Sequence, residues 1–174
     1  MLGSAFERLG IDPALTLDDA EIDSEWRALS AEKASQELNA AREQLKDPAS
    51  RLELWLQSRM GGDLPKSDAI SPSLMDLFIE IEGGLSSADK VIAKNDNAST
   101  ALAKSLVAKG LVEAQLRVQR LLAKVTNHRE TLIGKFPSLE GNPDLGKAVE
   151  VLNELKFLRK WERQCQDRLL RLIG

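Results

Sequence analysis

One cysteine, one histidine and no tyrosine occur in 174 residues. Cys165 alone cannot close an intrachain disulfide, and with His128 as the only other candidate of its kind no Cys/His zinc cluster can be assembled. No stretch approaches the roughly 18 uncharged apolar residues that a membrane helix requires. The opening Met1–Arg8 contains Glu7 and lacks the apolar centre of a signal peptide. These absences predict a cytoplasmic protein in a reducing compartment. A charge excess is missing too: 24 Lys and Arg stand against 27 Asp and Glu. There is no positive field to hold a nucleic-acid backbone or an acidic membrane, and neither is an expected partner.

What is present is helix-forming. The chain is 43% apolar and 29% charged, a globular composition long enough for one domain or a small pair. Gly and Pro cluster at 10–13, 48, 61–72, 83–84 and 134–146, and the stretches between are rich in Ala, Leu, Glu, Lys, Arg and Gln. Nothing alternates with period two for long, and Val, Ile and Thr never concentrate between turn signals. The expected class is all-α.

The Gly- and Pro-bearing segment Met60 to Asp68 is the only plausible linker. It separates residues 1–60, with 12 acids and 7 bases, from residues 61–174, with 15 acids and 17 bases. The organisation that follows is a helical unit over 1–60, a linker over 61–70 and a second unit over 71–174. In the second unit Ser71-Pro72 and Asn142-Pro143 each place a capping side chain ahead of a proline suited to a first helical position. From Leu145, the residues Val149, Leu152, Leu155, Leu158, Trp161, Cys165, Leu169 and Leu172 line one face of a helix of about 28 residues. A helix between them starts near 97–100, carries Leu102, Leu106, Leu111, Leu116, Leu121, Leu122 and Val125, and ends before Gly134. Three long helices with short connections predict an up-down-up bundle.

In the first unit no Gly or Pro occurs between Ala14 and Asp47, so propensity alone draws one helix over about 18–46, with Thr16 as cap and Asp19 in the first turn. Periodicity disagrees. Ile22, Trp26 and Leu29 centre on one face, whereas Ala34, Leu38, Ala41 and Leu45 centre roughly 120° away. A hairpin turning near Ser30–Ser35 and a single helix with two buried faces are the competing solutions.

At this point the residues resemble a family. Phe6-Glu7-Arg8-Leu9-Gly10-Ile11, the helix with Trp26 and Leu29, the run from Leu38 through Arg42 to Asp47-Pro48, and Arg51-Leu52-Glu53-Leu54-Trp55-Leu56 resemble the J domain of HscB-type iron-sulfur co-chaperones. Met75-Asp76-Leu77-Phe78-Ile79-Glu80-Ile81-Glu82 is similar to the start of the HscB C-terminal bundle, and Leu155 to Lys160 to its last helix. The resemblance implies a non-enzymatic adaptor without a cofactor. Its J domain would stimulate the ATPase of a DnaK- or HscA-type chaperone, and its three-helix bundle would hold the cluster scaffold protein IscU. It also implies a scaffold contact at Met75, Asp76, Ile79, Glu80 and Gly83, with Phe157 joining from the last helix; a slip of one residue would substitute Leu74 and Phe78.

Two departures bear on the chaperone side. The family carries His-Pro-Asp between the second and third helices of its J domain, and here no His precedes residue 128. The second helix of a J domain is normally basic; here 18–33 holds six acids against Arg27 and Lys33. Like charges facing an acidic chaperone surface cost affinity and slow encounter. ATPase stimulation is therefore expected to be impaired or gone.

Plainer readings compete for each residue. Met75, Phe78 and Ile79 at helical spacing are as well explained by core as by a binding patch, and Phe157 faces the same choice. Arg117, Arg120, Lys124 and His128 form a basic stripe, by default a solvated face, and otherwise a contact for an acidic partner. Cys165 reads as a small buried hydrophobe, and Trp26, Trp55 and Trp161 as core. A competing function is a self-associating structural or regulatory protein with a relic J domain, acting as a homodimer.

Overall fold

A computed structural model describes residues 3–67 and 69–174. Met1, Leu2 and Asp68, which the readings of the N-terminal segment and the linker include, lie outside the described residues. The helices are α1 (Ala5–Leu9), α2 (Asp19–Glu32), α3 (Gln36–Lys46), α4 (Pro48–Met60), α5 (Met75–Asp96), α6 (Ala101–Ile133), α7 (Phe136–Gly141) and α8 (Leu145–Ile173). No strand occurs among the described residues, and the all-α class holds. By packing, the chain forms two compact units, one of Met1–Ser67 with Leu132–Asn153, the other of Asp68–Thr131 with Glu154–Gly174.

In the first unit several helix ends have a local cause. Ser4 and Glu7 form a reciprocal capping box on α1, and Gly10, at φ 65°, terminates it in the left-handed conformation that glycine adopts without a Cβ penalty. The residues of 18–46 fold as a hairpin: α2 stops at Glu32, Ser35 accepts a hydrogen bond from the Leu38 N–H at 3.1 Å and starts α3. The change of phase in the apolar pattern marks that turn. Trp26 is half-buried rather than core, because its indole N–H donates to Asn39 Oδ1 at 2.9 Å and the Arg42 guanidinium lies 4.4 Å over its ring. The predicted cap Thr16 is a correction: Asp18 caps α2, accepting from the Glu21 N–H at 2.7 Å, while Thr16 is drawn elsewhere.

It is drawn to α7, a short helix absent from the sequence reading. One oxygen of Glu140 accepts from the Leu15 N–H (2.8 Å), the Thr16 N–H (2.7 Å) and the Thr16 hydroxyl (2.9 Å). From the other side the buried Arg51 donates to the carbonyl oxygens of Leu15 (2.9 Å) and Leu45 (2.7 Å) and sits 5.9 Å from the Phe136 ring centroid. The loop before α2 is thus satisfied by two side chains rather than by backbone ladders.

Partial burial alone would raise the Glu140 carboxyl; the hydrogen bonds from Thr16 and Leu15 outweigh it and hold its pKa below the ordinary 4.5. A folded-state pKa below the unfolded one contributes stability that is full above about pH 4.5 and lost as pH falls through the lowered value. Urea titrations of Glu140→Gln and the parent chain should therefore differ most at neutral pH and converge in acid; a constant difference down to pH 2 to 3, on the order of a full unit below the usual carboxylate range, would contradict this.

In the second unit α5, α6 and α8 form the expected three-helix packing. Ile81, Leu85, Ala88 and Ile92 of α5, Val118, Leu121 and Val125 of α6, and Leu155, Leu158, Trp161 and Cys165 of α8 are buried. Polar ties cross between helices: Arg168 to Asp89 at 3.0 Å and Arg129 to Glu162 at 2.8 Å. Both proline-linked caps need correction. Pro72 opens a 3-10 turn, Pro72–Leu74, without a capping bond from Ser71, and α5 proper begins at Met75. At Asn142-Pro143 the cap is Asp144, whose Oδ1 accepts from the Lys147 N–H at 3.1 Å, two residues beyond the predicted site. Thr100 does cap α6, accepting from the Ala103 N–H at 3.0 Å.

The glycine pair in α5 splits by environment. A Cβ at Gly84 would collide with Leu121 Cδ1, and Leu121 is buried; a Cβ at exposed Gly83 would meet nothing closer than Arg117 Nη2 at 3.4 Å. Gly83→Ala should therefore raise stability by about 0.5–1 kcal/mol through helix propensity. Gly84→Ala should lower it by about 1 kcal/mol, overpacking exceeding the same gain. Chemical denaturation of the two variants checks the opposite signs.

Candidate protein-binding surface

The start of α5 is seated by α8. Ser71 and Ser73 hydroxyls each donate to Glu154 Oε1 at 2.8 Å. Leu74, Leu77, Ile81 and Leu85 then point inward and are buried. With that face fixed, helical geometry turns Met75, Asp76, Ile79, Glu80 and Gly83 outward, and all five are exposed. Ile79 is 62% and Met75 42% exposed. The alternative register fails for Leu74, which is sealed, whereas Phe78 is half-buried.

Phe157 is half-buried on α8. Its ring lies 5.9 Å from that of Trp161, and the Phe78 ring lies 6.1 Å from Trp161 on the other helix. Trp161 itself is buried, so it acts as a common floor on which the two phenylalanines rest. Through Phe78 and Trp161 the structure connects Phe157 to the helix that carries Met75 and Ile79. From the sequence Trp161 reads as core, which it is; its junction with Phe78 depends on the packing of α5 on α8. The sequence signal for its contact with Phe157 was the four-residue step from Phe157 to Trp161, which stacks two rings on one helix face.

The rim is charged. Asp76 is exposed, and Glu80 is ion-paired with Lys124 of α6. Arg117 donates to the Ser87 hydroxyl at 3.1 Å. Two members of the basic stripe therefore serve α5, while Arg120 and His128 face solvent. No group of three His, Cys, Asp or Glu among the described residues is arranged to hold a metal ion. Cys165 is buried; burial pushes its thiol up to about 11, with Glu162 adding to the rise and Arg168 opposing it. A thiol so held is a packing group and not a nucleophile.

The α2–α3 turn, Lys33-Ala34-Ser35, holds no His, Pro or Asp. Of the acids on α2, Asp23 turns inward to Arg42 at 2.7 Å and Lys46 at 3.2 Å, and the hydrogen bond from Arg42 leads the effects that lower its pKa. Asp18, Asp19, Glu21, Glu25 and Glu32 remain exposed. The outer side of α2 is thus acidic in the folded protein as well as in the sequence. No helix among the described residues is long and apolar enough to cross a membrane.

No family model matches the sequence, and no curated protein matches it. Among solved structures the chain is similar to the chaperone HscB from Vibrio cholerae, with a TM-score of 0.62 and 18% identity over 95% of this chain and 96% of that one. The likeness is one of fold.

Proposed function

We propose that this chain is an HscB-type adaptor in iron-sulfur cluster assembly. Residues 71–174 would bind an IscU-type scaffold protein through Met75, Asp76, Ile79, Glu80, Gly83 and Phe157, and residues 1–60 would be a J-like part that has lost its chaperone switch. The observation that carries the reading is the exposed Ile79 and Met75 strip on α5, joined through Phe78 and Trp161 to Phe157. Such a patch, apolar at its centre and charged at its rim, fits a protein partner better than a small molecule. The adaptor performs no chemistry of its own and needs no cofactor.

Calorimetric titration with an IscU-type protein should give saturable, one-to-one binding in the micromolar range or tighter; no heat and no co-sedimentation at high micromolar scaffold would refute the reading. In the same mixture a DnaK- or HscA-type ATPase should run at its unstimulated rate. The α2–α3 turn offers no His-Pro-Asp, and the exposed acids of α2 repel an acidic surface. Stimulation that disappears on neutralising Glu21 and Glu25 would overturn this half of the proposal.

A further inference from the structure

The N-terminal half of α6 carries apolar residues that the fold leaves uncovered. Leu102, Leu106, Val112 and Leu116 are 72%, 76%, 56% and 47% exposed. At about 100° per residue they fall within an arc of roughly 120° on one side of the helix. The buried residues of the same helix, Ala114, Val118 and Leu121, lie on the opposite side. The bundle is therefore packed without this stripe. Single exposed apolar side chains are ordinary, but three leucines and a valine on one face present roughly 400 Å² of apolar surface, the size at which such patches mark contact sites.

The order of residues along the stripe says what it fits. Lys109 and Glu113 lie in its middle, paired with each other at 3.8 Å and largely exposed. Lys109 and Glu113 are centred on position 111, and so are Leu106 and Leu116. A second copy of α6 laid antiparallel across a two-fold axis at that position sets Leu106 against Leu116 of the second copy, twice. The same operation sets Lys109 against Glu113, twice, and brings Val112 beside its own counterpart. Leu102 then meets the aliphatic stem of Arg120. An isologous interface requires a surface complementary to itself, and this one is, in both its apolar and its charged positions.

We infer that the chain self-associates through the exposed face of α6 as an antiparallel, two-fold dimer. None of its residues belongs to the proposed scaffold contact on α5 and α8, so the two associations are independent. The apolar area is modest, which makes the dimer a reversible one.

Sedimentation velocity on the full chain over a concentration series tests it. The parent should show a monomer–dimer equilibrium, and Leu106→Glu should weaken it at least about 30-fold with circular dichroism unchanged. Lys109→Glu and Glu113→Lys should each weaken self-association through two like-charge contacts. Mixed together, the two variants should form a heterodimer in preference to either homodimer, because every charged contact is then opposite in sign. A chain monomeric at its highest soluble concentration overturns the inference. A dimer that survives Leu106→Glu, or no heterodimer preference on mixing, overturns it as well. If Leu106→Glu instead lowers affinity for the scaffold protein, the face belongs to that partner and the inference fails while the proposed function stands.

Discussion

Ile79→Ala should weaken binding of an IscU-type scaffold about 30-fold or more, while the thermal unfolding curve stays where it was. The first expectation follows from position. Ile79 is the most exposed large apolar residue of α5, and a side chain of that size at the centre of a contact, once desolvated, is worth about 2 kcal/mol. The second follows from the same exposure: at 62% accessibility the side chain supports little of the bundle, and alanine is the better helix former. Phe157→Ala is a less clean test. It removes a ring packed on Trp161, so its loss of affinity would be mixed with a loss of core packing. Calorimetry and thermal denaturation of the Ile79 variant, run side by side, decide the matter. An unchanged dissociation constant would remove Ile79 from the contact.

Arg51→Met should produce the largest loss of stability of any single change considered, about 3 kcal/mol. The guanidinium is buried and its two hydrogen bonds serve the carbonyls of Leu15 and Leu45. Methionine fills similar volume but donates nothing, leaving two acceptors unsatisfied, each costing about 1–3 kcal/mol, partly offset because a desolvated charge is no longer held. Burial already lowers the Arg51 pKa, against the opposing charges of Asp19, Asp47 and Glu140, a sign of what that desolvation costs. Urea unfolding of the variant provides the check; a shift below about 0.5 kcal/mol would mean that water replaces the guanidinium without penalty. Against a typical domain stability of about 5–15 kcal/mol, the expected loss is large.

Much of the local structure was legible because its causes are local. The change of phase in the apolar pattern over 18–46 left a hairpin and a two-faced helix as solutions, of which the fold takes the hairpin of α2 and α3, and α8 showed as a stripe from Leu145 to Leu172 that the structure buries at most of its positions. Caps were less legible. Thr16 and Asn142 each stand two residues before the aspartate that caps, Asp18 and Asp144, and tertiary hydrogen bonds claim Thr16 for Glu140 and Ser71, which makes no capping bond, for Glu154. Of the candidate surface, the spacing of Met75, Ile79 and Gly83 on one helix face could be read; whether that face was core or surface could not. The seating of Ser71 and Ser73 on Glu154, some eighty residues away, belongs to that answer.

By itself, then, the sequence determined an all-helical chain, the approximate extent of its long helices, the missing His-Pro-Asp and the acidic second helix, since these depend on residue identity and on periodicity within a few turns. Only the tertiary structure decided that Ile79 is exposed while Leu74 is sealed, that Trp161 joins Phe78 to Phe157, and that Leu102 and Leu106 stay largely exposed. The physical reason is that an apolar stripe states a preference for burial, whereas burial itself requires another element to arrive on that side, and which one arrives is set by contacts between residues far apart in the chain.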